Sequence, residues 1–177
     1  MNRKRNKKIL FFGIFVFINC QLPTAYCQLD SVGSLKSGIA QFQQGNYEGA
    51  EVELMKAVEL NPKNPDAFFY LAETAFILNE MKKAMENYNK TIELNSKNAK
   101  AYKGRGKVKA KLEDFNGSIE DFTKAIEINP QGEYFYHRSL CYYRMGDIAK
   151  AKSDALTAVQ KGMLLPESYK TMLQLGK

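Results

Sequence analysis

Four lysines share one face of a predicted helix in the second half of the chain. They recur every three or four residues, which is the spacing of neighbours on a helical face: Lys100, Lys103, Lys107 and Lys111. Across residues 97–111 there are seven basic residues and no acid. Like charges at this spacing cost roughly 0.2–0.5 kcal/mol per pair. The chemistry that this row could do is the binding of an anion, and the alternative is a face that is simply solvated.

Residue types that carry catalysis are sparse. The sequence contains one histidine, His137, so a cluster of histidines around a metal ion cannot form. Phosphate-binding glycine loops, paired cysteines and nucleophile elbows are absent from the sequence. Cys141 lies between apolar residues, and we expect a small buried residue at a helix contact. We predict that the protein is not an enzyme and that it uses no cofactor, no metal and no small-molecule substrate.

A repeat of about 34 residues must position the lysine row. Its clearest copies start at residues 45, 79, 113 and 146, at spacings of 34, 34 and 33. A fixed period of this length is typical of proteins built from stacked repeats. In each copy the apolar residues form one helical stripe, for example Tyr47, Ala50, Leu54, Ala57 and Val58. A single pair of helices cannot bury this stripe, so the pairs must stack.

Turn and stop signals divide each repeat into two helices. Gly45 marks a turn within the first repeat, and Pro62 and Pro130 end second helices. We predict an all-α fold of four repeats followed by a short helix that covers the end of the stack. The predicted boundaries are 31–64, 65–98, 99–131 and 132–165 for the repeats and 166–177 for the capping helix.

These patterns resemble the tetratricopeptide repeat (TPR) family. The bulky first-helix residues are Phe68, Tyr102 and Phe135, and the small residues four positions later are Ala72, Gly106 and Ser139, with Gly38 in the first repeat. The second helices carry Ala50, Ala84, Ser118 and Ala151, then Leu54, Tyr88 and Phe122, then Ala57, Thr91, Ala125 and Ala158. The end repeats depart from the pattern at Ser34, Ala155 and Met163. The resemblance implies a right-handed superhelix whose first helices line a concave groove that binds peptides or protein segments.

The register of the family assigns a set of residues to this groove. The predicted partner-binding residues are Phe69, Glu73, Phe76, Lys100, Lys103, Lys107, Lys111, Tyr136, His137, Tyr143 and Arg144. Further groove positions carry Val32, Leu35, Ile39, Phe42, Asp66, Tyr70, Glu133 and Leu140. The apolar face of the first repeat could contact a ligand or a second copy of the chain. The resemblance to repeat domains that bind Hsp70 and Hsp90 tails is incomplete, because Leu35, Ile39, Tyr70 and Gly104 replace polar residues there.

The first 27 residues read as a secretory signal peptide. Five basic residues lie in the first eight positions, and an apolar run follows over residues 9–18. Such a run spans roughly 15 Å as a helix, about half of a bilayer core, so we predict no permanent membrane span in the mature form. The best cleavage site follows Cys27. Lipidation of Cys20 and an uncleaved anchor are the alternatives, although Asn19 is unusual before a lipidated cysteine.

The leading functional prediction is an exported, non-catalytic module that binds another protein or peptide in its groove. Without residues 1–27 the chain has 21 basic and 19 acidic residues, so its body is almost neutral. The overall charge of +7 therefore does not indicate nucleic acid. An anionic partner remains one alternative, bound through residues 97–111 as an acidic polymer. A lipid-anchored accessory protein of envelope assembly is another.

Overall fold

The computed structural model describes residues 24–175, which form helices and no strand within that range. The helices are α1 (Thr24–Gln43), α2 (Tyr47–Leu60), α3 (Pro65–Ile77), α4 (Met81–Leu94), α5 (Ala99–Lys111), α6 (Phe115–Ile128), α7 (Gly132–Arg144), α8 (Ile148–Gln160) and α9 (Glu167–Met172). No helix of the described part is long and apolar enough to cross a bilayer. Most of the predicted signal peptide, residues 1–23, lies outside the described residues.

The turn inside each repeat has the same geometry four times. One residue adopts a positive φ at equivalent positions: Gly45 at 79°, Asn79 at 63°, Glu113 at 63° and Gly146 at 82°. This conformation reverses the chain after the first helix. The next residue then caps the second helix in three repeats, where Asn46, Asp114 and Asp147 each accept a hydrogen bond from a backbone N–H three residues later.

The predicted apolar stripes form the core of the stack. Leu54, Tyr88 and Phe122 occupy the same place in successive second helices, and each is at most 1% exposed. The small residues around them are buried too, which lets the helix backbones approach closely. Burial of a large apolar side chain contributes about 1.5–3 kcal/mol, so each repeat is stabilised mainly through its neighbours.

The first helices lie on the inner side of the curved stack. α1 contacts α3, α3 contacts α5, and α5 contacts α7. In contrast, within the described range the Cα atoms of successive second helices stay more than 8 Å apart. Because the first helices are closer together than the second helices, the stack curves around α1, α3, α5 and α7, and these helices line its concave face.

An arginine clamp joins successive repeats in the C-terminal half. Arg105 of α5 donates Nε to Asp121 Oδ2 at 2.9 Å and Nη2 to Asp121 Oδ1 at 2.6 Å, and its Nη1 reaches Asn89 of the preceding repeat at 2.7 Å. Arg138 of α7 repeats the arrangement with Asp154, at 2.7 and 2.9 Å, and with Thr123 of the preceding repeat at 2.8 Å. The first two repeats carry Ser37 with Glu53 and Leu71 with Asn87 at the equivalent positions.

The short helix α9 covers the end of the stack. Leu165, Tyr169 and Leu173 are buried in one cluster with the alanines of α8. The Tyr169 hydroxyl lies 3.0 Å from Ser139 Oγ, where either group can donate the hydrogen bond. Ala155, which departs from the family pattern, is fully buried in this cluster.

Candidate functional site

A cavity of about 460 Å³ opens where α3, α5, α6 and α7 meet. It brings together five of the predicted partner-binding residues: Phe76, Lys107, Lys111, His137 and Arg144. The remaining walls come from Ala110, Glu113, Phe115, Phe122, Leu140 and Cys141. Since three first helices contribute to it, the cavity belongs to the concave face, where the sequence placed the groove.

Two lysines are held at the cavity by an aromatic ring. Lys107 Nζ lies 4.8 Å from the centroid of the Phe76 ring, and Lys111 Nζ lies 5.3 Å from it. Lys111 Nζ also donates a hydrogen bond to Asn79 Oδ1 at 2.9 Å. A cation over the face of a ring is attracted by the negative face of the π system, and the contact also fixes the long lysine side chain. These two ammonium groups are therefore ordered, and no carboxylate among residues 24–175 pairs with them.

Lys103 has a different environment from the rest of the lysine row. Its Nζ lies 3.2 Å from Glu133 Oε1, and the same oxygen lies 3.5 Å from His137 Nε2. The hydrogen bond from His137 and the charge of Lys103 lower the pKa of Glu133 to about 2. The His137 ring also stacks on Phe122, with 5.5 Å between the ring centroids and 15° between the planes. Glu133 thus neutralises Lys103 and orients the imidazole.

Lys100 is exposed and lies outside this cavity. It contributes to a second depression of about 360 Å³ at the loops between α6 and α7 and after α8, together with Glu133 and Lys161. About eleven residues separate it from Lys111, so the two ends of the row are roughly 16 Å apart along the helix. The four lysines therefore do not form one site. Lys107 and Lys111 line the 460 Å³ cavity, Lys103 forms an ion pair with Glu133, and Lys100 lines the second depression.

The other predicted site residues have partners inside the protein. Phe69 packs edge-on against Tyr70 with 5.4 Å between centroids, and Glu73 accepts a hydrogen bond from the Tyr88 hydroxyl at 2.5 Å. Tyr136 and Tyr143 meet the ring of Tyr169 edge-on, at 5.6 and 6.1 Å. None of Phe69, Glu73, Tyr136 and Tyr143 lines the 460 Å³ cavity.

Several residues that line the cavity are not at the first-helix positions that the family register assigns to the groove. Phe122 was assigned only to the buried stripe, yet its ring forms a wall and supports His137. Glu113 enters from the turn before α6, and Phe115 is the first residue of that helix. Cys141 is buried as expected, with Sγ 3.2 Å from Ser118 Oγ, and burial raises the pKa of its thiol. Each second helix carries a bulky residue at its start and another in its middle. This repeated pattern is the sequence signal that could have placed Phe115 and Phe122 among the predicted cavity residues.

Within residues 24–175 the structure groups no three histidine, cysteine, aspartate or glutamate side chains in a way that could hold a metal ion. What the concave face offers instead is an aromatic cavity with ordered cations at its rim. Stacked helix pairs with such an inner groove define the class of helical-repeat proteins, whose fold is that of a protein-interaction module.

Comparison with known families gives the family directly. A TPR repeat model matches residues 38–76, and tetratricopeptide repeat models match residues 65–98 and 99–131. The chain belongs to the tetratricopeptide repeat family, as its sequence pattern predicted. Proteins of this family are generally non-catalytic scaffolds.

Solved structures confirm the fold. A crystal structure of MamA superposes with a TM-score of 0.72 at 25% identity, covering 75% of this chain and 78% of that one. MamA from Desulfovibrio magneticus RS-1, residue 41 to the end, gives 0.71 at 21% identity, with coverage of 75% and 76%. The first TPR of Spaghetti (RPAP3), bound to the HSP90 peptide SRMEEVD, gives 0.66 at 22% identity, with coverage of 67% and 95%. No curated protein matches the sequence significantly.

Proposed function

We propose that the protein is an exported scaffold whose concave groove binds a segment of another protein. The observation that carries this proposal is the cavity of about 460 Å³ formed by the first helices of three successive repeats together with α6. Its volume lies in the range of binding pockets, and its walls are mostly apolar with a few charged groups. A groove of this kind can receive a side chain of an extended or helical segment.

The structure favours a peptide over an anionic polymer as the partner. Arg105 and Lys109 both contact Asp121, and Lys103 contacts Glu133. These pairs interrupt the run of seven cations in residues 97–111, so a polymer would not meet a continuous basic surface. Strong retention on heparin that persists at high salt would instead support the polymer.

We do not propose the C-terminal peptide of HSP90 as the partner of this groove. The structure of Spaghetti carries such a peptide, but its likeness to this chain is one of fold. In this chain apolar or small residues occupy four of the places that would hold the tail's carboxylates: Leu35, Ile39, Tyr70 and Gly104.

An unbiased peptide selection tests the groove. We expect peptides selected from a displayed random library to lose binding to the variant Lys107→Glu with Arg144→Glu, because both residues line the cavity. Lys103 is unsuitable for this purpose, since a glutamate there would face Glu133. The matched control is Lys63→Glu with Lys82→Glu, which makes the same charge change at exposed positions outside the cavity. Selected peptides that bind all three proteins equally would contradict the groove assignment.

Export is proposed from residues 1–27 alone. The basic head and short apolar run are those of a cleaved signal peptide, with cleavage after Cys27. Mass spectrometry of the protein from its own cells tests this: a mature chain starting at Gln28 supports cleavage, a lipid-modified Cys20 supports the anchored alternative, and an intact Met1 contradicts export.

A further inference from the structure

We infer that the 460 Å³ cavity binds a bulky apolar side chain of a partner segment that carries acidic residues beside it. The inference rests on the proposed function, because it assigns a ligand class to the same groove. It depends on which cations of the concave face are already neutralised, on what holds the others in place, and on the apolar surface between them.

Lys100 of α5 lines the second depression, and the other five basic residues of this helix fall into two groups. Lys103, Arg105 and Lys109 each have a carboxylate within ion-pair distance, supplied by Glu133 or Asp121. Lys107 and Lys111 line the cavity and have no carboxylate within that distance among residues 24–175. The protein therefore neutralises the cations that lie between its own helices and leaves uncompensated charge at the cavity.

A third cation enters from the next repeat. Arg144, at the end of α7, lines the cavity and is exposed, and it likewise has no carboxylate partner in the described range. Glu113 is the single carboxylate among the lining residues, so three permanent cations face one acid. An acidic partner is attracted by this excess, and the guanidinium can bind a carboxylate through two parallel hydrogen bonds.

The lysines are also preorganised for an anion. Both ammonium groups are held over Phe76, and Lys111 is fixed further by Asn79. Ordering a free lysine on binding costs conformational entropy, and here much of that cost is met before the partner arrives. Cation–π contacts leave the N–H donors that point away from the ring available to a carboxylate.

Between the cations the cavity surface is apolar. Leu140 and the outer face of the His137 ring form it, and the buried ring of Phe122 supports the imidazole from behind. An acidic residue alone would leave this surface exposed to water, whereas a neighbouring aromatic or branched apolar side chain would cover it. The chain's own N-terminus is a poor occupant, because its five basic residues would meet three cations.

Defined peptides test the inference on the full mature chain. We would measure fluorescence anisotropy with labelled 12-residue peptides in which a central Phe, Leu or Ala is flanked by Glu, Ala or Lys. We expect Glu-flanked Phe and Leu peptides to bind at least about tenfold more tightly than their Ala-flanked versions, and Lys-flanked peptides to bind weakest. Replacing the central residue by Ala should weaken binding by a similar factor.

A charge swap provides a readout that misfolding cannot imitate. The variant Lys107→Glu with Arg144→Glu should invert the order and prefer Lys-flanked peptides, while Lys63→Glu with Lys82→Glu should keep the original order. Equal binding of Glu-flanked and Ala-flanked peptides would overturn the acidic assignment and leave the groove function standing. If no peptide of the panel binds and the random library also yields none, both the inference and the proposed function are overturned.

Discussion

Gly104 of α5 packs against the ring of Tyr88 in the preceding repeat, where no side chain would fit. A Cβ atom at this position would lie 2.3 Å from Cζ of Tyr88, whose ring is 1% exposed and whose hydroxyl is bonded to Glu73. The ring cannot move aside without breaking that hydrogen bond. We expect Gly104→Ala to lower the free energy of unfolding by about 1–3 kcal/mol, measured by urea denaturation.

Gly33→Ala is the matched control for this prediction. Gly33 lies within α1, and a Cβ there would meet nothing within 4 Å. Alanine should raise stability by up to about 1 kcal/mol through its better helix propensity. Equal effects of the two substitutions would show that the contact with Tyr88 does not limit the packing.

Glu133 should make the stability of the protein sensitive to acid. Its pKa in the folded protein is about 2, below the ordinary value of 4.5, because of His137 and Lys103. A lowered pKa in the folded state stabilises the protein above about pH 4.5, and that contribution is lost as the pH falls towards 2. We expect Glu133→Gln to be less stable than the wild type at pH 7 and to lose less stability over this acidic range.

Urea denaturation between pH 7 and pH 2 measures this effect. Glu120→Gln is the control, because Glu120 is exposed and makes no ion pair within residues 24–175. If Glu133→Gln and the wild type lost stability in parallel on acidification, the ion pair with Lys103 would not contribute to folding.

The lysine row shows what sequence can and cannot predict about the site. Helical spacing predicts that Lys100, Lys103, Lys107 and Lys111 share one face of α5, and in the structure Lys107 and Lys111 lie over the same Phe76 ring. It cannot predict that Glu133 neutralises Lys103, because this acid arrives from the next repeat, 30 residues later. Phe122 illustrates the same limit: its place in the buried stripe is visible in the sequence, whereas its contact with His137 depends on the distance between helices.

The Arg138–Asp154 pair of the arginine clamp should stabilise the fourth repeat, because it joins α7 to α8 and holds the guanidinium that contacts Thr123 of the preceding repeat. The side chains of Arg138 and Asp154 are only 17% and 10% exposed and share two hydrogen bonds. Loss of either partner leaves a largely buried charge without compensation. In a double-mutant cycle with Arg138→Gln and Asp154→Asn, we expect a coupling energy of about 1–3 kcal/mol from urea denaturation.

The exposed pair Lys124–Glu127 is the reference for this cycle. Its side chains are 51% and 57% exposed, so its coupling should stay below about 0.5 kcal/mol. A coupling in the clamp no larger than in this pair would mean that the paired charges only compensate for their own burial.

The helices themselves were largely predictable because each repeat is defined by local signals. Proline, asparagine and the residue at the turn fix where a helix ends, and the stripe fixes which side is buried. Larger differences occur at the two ends. α1 begins at Thr24 rather than near residue 31, and α9 ends at Met172 although apolar residues continue to Leu175. End elements have a neighbour on one side only, so stacking constrains their lengths less.

The junctions between repeats differ along the stack, and this difference predicts which repeats unfold locally first. In repeat proteins stability is approximately the sum of the repeats and their interfaces. Only the two C-terminal repeats carry the arginine clamp, since Ser37 and Leu71 stand at the equivalent positions. We expect hydrogen exchange to be faster at the backbone amides of α2 than at those of α8. Faster exchange in α8 would contradict this gradient.

The position of the clamp has a consequence for the proposed binding cavity when the N-terminal end of the stack opens. The 460 Å³ cavity is formed by the second to fourth repeats, whose later junctions are the reinforced ones. The N-terminal helix pair, α1 and α2, can therefore unfold or be removed by a protease while the repeats that form the cavity remain folded.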